Sequence, residues 1–135
     1  MALVPAGEAF TPRQRESIDR AVRQAMQQTD LRFSVYVGAL EGDARVRAEA
    51  LLAGLGDDAP RTVLIAVDPA ARTLEIVTGA LAKRLLDDYA CGLGALAMTT
   101  QFAAGDLAGG IVSGLRTLGE HARAPRILHV EQSKP

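Results

Sequence analysis

The sequence predicts an α/β sandwich: a single domain in which a mixed sheet of three to four strands lies between helical layers. Three observations carry that expectation. The run Thr62-Val63-Leu64-Ile65-Ala66-Val67 is almost continuously apolar, as a central strand buried on both faces should be. Before it come a strand-like stretch, residues 31–37, and a helical stripe of Ala48, Leu51, Leu52 and Leu55. A strand, helix and strand of these lengths form a crossover, so the first two strands should be parallel. After it, Asp68-Pro69-Ala70-Ala71 reads as a turn into the alternating strand Arg72-Thr73-Leu74-Glu75-Ile76-Val77-Thr78, which makes a hairpin.

The remaining elements follow in order. Residues 1–10 read as a loose arm. Thr11-Pro12-Arg13-Gln14 opens a helix, with Thr11 as cap, Pro12 in the first turn and Gln14 as the reciprocal capping partner. Ile18, Ala21, Val22, Ala25 and Met26 then recur at helical spacing. Asp43 is placed to cap the second helix, which ends at Gly54 to Gly56. Beyond the hairpin the spacing predicts a helix over 79–89, carrying Leu81, Leu85, Leu86 and Tyr89, and a weaker one over 93–102. Asp106 caps a last helix with the stripe Leu107, Gly110, Ile111, Gly114, Leu115 and Leu118. Gly110 and Gly114 share one face and suit close backbone packing. The domain therefore spans 11–123. A tail, 124–135, follows, in which residues 126–130 have the composition of an edge strand.

Composition excludes several functions. The 135 residues are 48% hydrophobic and 23% charged, with a net charge of −1, so no excess charge draws the chain to nucleic acid or an anionic membrane. Cys91 is the single cysteine, which rules out an intrachain disulfide framework or a thiolate zinc cluster. The first residues lack a signal-peptide pattern, and no uncharged apolar run nears the roughly 20 residues of a membrane span. The expectation is a cytoplasmic protein with no nucleic-acid partner and no membrane insertion.

Few motifs point to chemistry. Gly92-Leu93-Gly94-Ala95-Leu96-Ala97 has the letters of a dinucleotide fingerprint but follows a helix, not a strand, so helix-packing or hinge glycines are the better reading. Ser113 lacks the spacing of a nucleophile elbow, and His121 and His129 read as surface histidines. Cys91 reads as a buried small side chain. At Thr78-Gly79 a strand should give way to a helix, and backbone N–H groups there, with Lys83 and Arg84 one turn on, would suit a phosphate or carboxylate. An ordinary capped helix with solvated charges fits the same residues. Asp57, Asp58, Asp68, Asp87, Asp88 and Asp106 all fall at element ends. Two or three carboxylates converging near Asp68, at a strand's carboxyl end, would hold a hard cation such as calcium or steer a metal-bound water. Each alone reads better as a turn or cap former.

Four segments together resemble the TPM domain. They are Val63-Leu64-Ile65-Ala66-Val67-Asp68; Arg72 to Gly79, ending in Thr78-Gly79; Leu86-Asp87-Asp88; and Phe102-Ala103-Ala104-Gly105-Asp106-Leu107-Ala108-Gly109-Gly110-Ile111. With Phe10-Thr11-Pro12 and residues 31–38, the resemblance covers roughly 10–123 and is closest to a small actinobacterial branch of uncharacterised proteins. It implies an αβα sandwich. It also implies one of three roles found among TPM domains: acid phosphatase, calcium binding in an acidic groove at one end of the sheet, or an adaptor for membrane-protein complexes. Asp57-Asp58-Ala59-Pro60 stands where TPM proteins commonly have Asp-Asn-Gly, and Ala82 stands about where they place a Glu. The acidic cluster is therefore thinner. The expectation is a non-enzymatic binding or adaptor module for a protein partner or small ligand, requiring no cofactor. Its groove would be formed near Asp57, Asp68, Thr78, Gly79 and Asp87. The alternative is a metal-assisted, calcium-type acid phosphomonoesterase, with Asp57, Asp58, Asp68, Asp87 and Asp88 as ligands and Lys83 or Arg84 on the phosphate.

Overall fold

The computed structural model describes residues 2–3 and 10–123. Its four-stranded sheet has the order β1-β2-β3-β4, with β1 (Ala2–Leu3), β2 (Arg32–Val37), β3 (Thr62–Asp68) and β4 (Thr73–Thr78). β1, β2 and β3 run parallel, and β4 returns antiparallel to β3 with Asp68 opposite Thr73 and Val63 opposite Thr78. The parallel crossover and the hairpin are those the sequence predicts. The arm departs from expectation: Ala2–Leu3 pairs with Val35 and Tyr36, and Phe10 is buried. Residues 126–130 lie outside the described residues.

All seven residues of β3 are buried, so both faces need cover. Alternation sends Val63, Ile65 and Val67 to one face and Leu64 and Ala66 to the other. The first face lies under α1 (Pro12–Gln28), α3 (Asp88–Ala103) and α4 (Leu107–Arg123), which supply Ile18, Val22, Met98, Ile111, Leu115 and Leu118. The second is covered by α2 (Ala44–Ala53) through Ala48 and Leu52, with Leu40 from the loop before it.

Local chemistry sets the helix ends. Thr11 Oγ1 accepts from Gln14 N at 3.1 Å while Gln14 Oε1 accepts from Thr11 N at 2.9 Å, the reciprocal box that the sequence predicts. Asp43 and Asp106 accept from Val46 N and Gly109 N. α3 and α4 pack through glycines. A Cβ at Gly94 would lie 2.8 Å from Leu118 Cδ2, and one at Gly114 would lie 2.5 Å from Met98 Cγ. These contacts offset the roughly 1 kcal/mol that each helical Gly costs.

The region after β4 differs from the expected helix over 79–89. A short 3-10 turn at Ala82–Arg84 stands there, and one continuous α3 replaces the weaker helix over 93–102. Asp87 starts α3 by accepting from Ala90 N at 2.9 Å, while buried Ala82 and Leu86 pin the connection to the core. Tyr89, expected in a buried stripe, is 71% exposed. Gly79 sits where no side chain fits: a Cβ would fall on the Ala59 carbonyl oxygen and 2.6 Å from the Pro60 carbonyl carbon. Gly92, by contrast, has open space about it. Gly79→Ala should therefore cost about 3 kcal/mol or more in a urea melt, whereas Gly92→Ala should stabilise by about 0.5–1 kcal/mol.

Candidate ligand cleft

The antiparallel return of β4 divides the residues expected to share one site. Asp68 ends β3, whereas Thr78 pairs with Val63 at the opposite end of the sheet. Asp57 and Asp58 belong to the 3-10 turn Gly56–Arg61 that leads into β3, so they lie at the Thr78 end. Asp87 and Asp88 open α3 after the connection leaving β4 at that same end. The five carboxylates do not meet, and among the described residues no three His, Cys, Asp or Glu side chains are grouped to hold a metal. Asp58 instead faces Arg32 at 3.6 Å, an exposed ion pair.

The anion site expected at Thr78-Gly79 does not form either. Gly79 N–H donates to Thr62 O and Leu81 N–H to Pro60 O, both at 2.9 Å, so these donors stitch the connection to the start of β3. Lys83 and Arg84 sit on the exposed 3-10 turn.

Asp68 is spent on structure. Its Oδ2 accepts from Leu40 N at 2.9 Å and its Oδ1 from Ala71 N at 3.2 Å, tying the loop before α2 to the β3–β4 turn. These donors, with the Ala70 N–H, outweigh burial and hold the carboxyl below the usual carboxylate range. The Asp-Pro turn signal was legible in the sequence; the distant Leu40 partner was not.

A cleft of about 650 Å³ opens beside Asp68, between the β3–β4 turn and the α3–α4 corner. Leu74, Ala95, Phe102 and Leu107 give it an apolar lining, Thr99 adds a hydroxyl, and Arg72 brings the cation. Arg72 is the single non-glycine at positive φ among the described residues, at 56°, where the turn closes by Arg72 N–H donating to Pro69 O. A left-handed non-glycine residue costs about 1–2 kcal/mol. Sequence reading missed this cleft because its two walls lie far apart in the chain. A second hollow, of about 470 Å³, is lined by Arg15, Asp19, Arg23, Arg32 and Asp58, charges of both signs that largely cancel.

The other reactive groups are quiet. Burial first, and then the Asp88 carboxylate, push the half-buried Cys91 thiol up, opposite to what an activated nucleophile needs. Ser113 donates to Gln101 Oε1 across the α3–α4 interface. His121 lies in the last turn of α4, and His129 is outside the described residues. No helix of the described residues is long and apolar enough to cross a membrane.

Asn at position 68 keeps one acceptor oxygen for donors that now use two. Asp68→Asn should therefore lower the melting temperature at pH 7. A depressed folded-state pKa contributes stability above the unfolded value, about 4, and loses it as pH falls through the folded value. The gap between wild type and variant should thus narrow in acid, as read from melts between pH 7 and pH 2.

Comparison with known proteins gives the same fold. The NMR structure of BA42 protein from Bizionia argentinensis superposes with a TM-score of 0.78 at 23% identity, covering 87% of this chain and 83% of that one. The N-terminal domain of cg2496 protein from Corynebacterium glutamicum gives 0.75 at 15% identity, over 90% and 78%. Uncharacterized proteins MT2543 and Rv2468c, from two strains of Mycobacterium tuberculosis, are each 30% identical over 102 residues, which is 76% of this chain. The chain spans 60% of the length of these curated relatives. The family described as a domain of unknown function, DUF5130, matches residues 4–119, and the chain belongs to it.

Proposed function

We propose that this chain is a binding module that takes an apolar ligand with an anionic end into the cleft beside Asp68, without turning it over. The observation that carries the reading is the cleft itself: an apolar hollow at the carboxyl end of a parallel strand, with Arg72 as the cation on its wall and the Asp68 carboxylate beside it already accepting from the Leu40 and Ala71 N–H groups. Open α/β sheets bind ligands at that end. The TPM resemblance supports it. Two of the segments that carry the resemblance, the one ending in Asp68 and the one beginning at Phe102, are far apart in sequence and both line this hollow. Adaptor members among TPM domains fit a module of this kind. The carboxylates needed for a calcium-type phosphomonoesterase are split between the two ends of the sheet.

Anilinonaphthalene sulfonate, an apolar anion, is the probe. The native protein should enhance its fluorescence saturably, with one site. Arg72→Asn tolerates the left-handed turn and removes the cation, so it should weaken binding roughly tenfold. Thr99→Trp should fill the hollow and abolish binding, while Leu96→Glu, outside it, should leave binding unchanged. Absence of a saturable site, or indifference to both cleft variants, overturns the reading. Calcium-dependent hydrolysis of p-nitrophenyl phosphate, lost in folded Asp68→Asn, would establish the phosphomonoesterase in its place.

A further inference from the structure

The cleft beside Asp68 has a strand edge along one rim and a helix along the other. Among the described residues β4 is the last strand of the sheet, and α3 packs on it. Val67 and Leu74 stand opposite each other. Val67 O accepts from Gly38 N at 2.9 Å, on the β2 side, so the backbone groups of this pair point away from one another. Leu74 therefore turns its N–H and C=O outward from the sheet. Ile76, two residues on, turns outward as well, but its carbonyl already accepts from Arg45 Nη1 at 3.1 Å. Glu49 and Glu75 hold that guanidinium at 3.2 and 3.4 Å. Between the turn and the capped carbonyl, Leu74 is the strand residue with both outward groups unpaired, and it lines the cleft. Arg72, two positions before it, is exposed on the cleft wall. No carboxylate among the described residues forms an ion pair with it.

We propose that the cleft takes the C-terminal end of a partner protein, an apolar last residue with its free carboxylate. The proposal rests on the binding-module reading above and names the class of its ligand. A chain laid antiparallel to β4 runs toward the start of that strand, so its C-terminus arrives at Arg72. The third residue from its end then lies opposite Leu74 and exchanges both backbone hydrogen bonds with it. The last residue, two further on, lies opposite Arg72, whose guanidinium donates to the carboxylate. Side chains two apart share a face of a strand. Leu74 packs against the core on the side that α3 covers, so the last and the third-last side chains turn to that side. The last one enters the hollow lined by Val67, Leu74, Phe102 and Leu107. No charged residue occurs from Tyr89 through Gly105, so an uncharged third-last residue fits beside α3.

The same geometry separates a chain end from other ligands with this chemistry. A fatty acid would satisfy Arg72 and the apolar wall but leave the Leu74 N–H and C=O idle. A strand passing through would bring no carboxylate to Arg72 and would meet the capped Ile76 carbonyl. A short C-terminal segment uses the cation, the hollow and the strand edge together.

Calorimetric titration of the full chain with the peptide acetyl-Gly-Gly-Val-Ser-Leu tests it. The free acid should bind at one site and displace anilinonaphthalene sulfonate, and the C-terminal amide should bind about tenfold more weakly. Arg72→Asn should weaken the acid by a similar factor and leave acid and amide alike. N-methylation of the valine nitrogen removes the N–H that faces Leu74 O and should weaken binding about fivefold or more. N-methylation of the serine nitrogen, which points away from β4, should not. If the dye binds saturably but neither this peptide nor its phenylalanine-ended analogue displaces it, the proposal is overturned and the cleft reading stands. Displacement by decanoate and not by the peptides has the same meaning and assigns the cleft to a small amphiphile. Equal binding of acid and amide, or indifference to methylation at valine, overturns it as well. Absence of any saturable dye site overturns both readings.

Discussion

β3 has no side that water can reach, and the architecture follows from that constraint. A strand of seven buried residues must have a paired neighbour along each edge and a packed layer on each face. β2 and β4 supply the edges. Three helices supply one face and a single helix the other. Because β2 reaches β3 by a crossover, α2 is carried to the second face, while the chain before β2 and after β4 is left to cover the first.

That logic was largely readable in the residues. The apolar run from Thr62, the Asp-Pro turn and the Thr11–Gln14 box each combine a local preference with the global arrangement, and the structure uses each one. Where reading failed, tertiary packing outweighed periodicity. Leu81, Leu85 and Leu86 have helical spacing, yet Gly79 is wedged against the Ala59–Pro60 backbone and directs the chain through a turn. The spacing also predicts a break between residues 89 and 93, but α3 runs through it, and Gly94 packs against Leu118.

The candidate site was less legible than the fold. Asp68 was singled out correctly as a residue at a strand's carboxyl end, but its role depends on Leu40, twenty-eight positions away. The expected acidic groove required Asp68, at the end of β3, to converge with Asp57 and Asp58 before it, and a strand separates its two ends. The apolar hollow that does form is assembled from a turn, two helices and the end of a strand. No local pattern announces it.

The two faces of the sheet are unequally protected. On the second face, Leu64, Ala66 and Val77 depend on α2, ten residues long, with Ala48 and Leu52 as its buried contacts. Partial opening of the protein should therefore begin there, below the cost of global unfolding. Such an opening has two effects at once, because Arg45 rides on α2. Lifting the helix strips the apolar underside of the hairpin and also takes the guanidinium off Ile76. An edge whose Ile76 carbonyl is capped in the native state becomes a bare strand beside exposed valine and leucine, the combination that templates aggregation. The same arginine that finishes the fold thus makes the seating of one short helix the safeguard against misassembly.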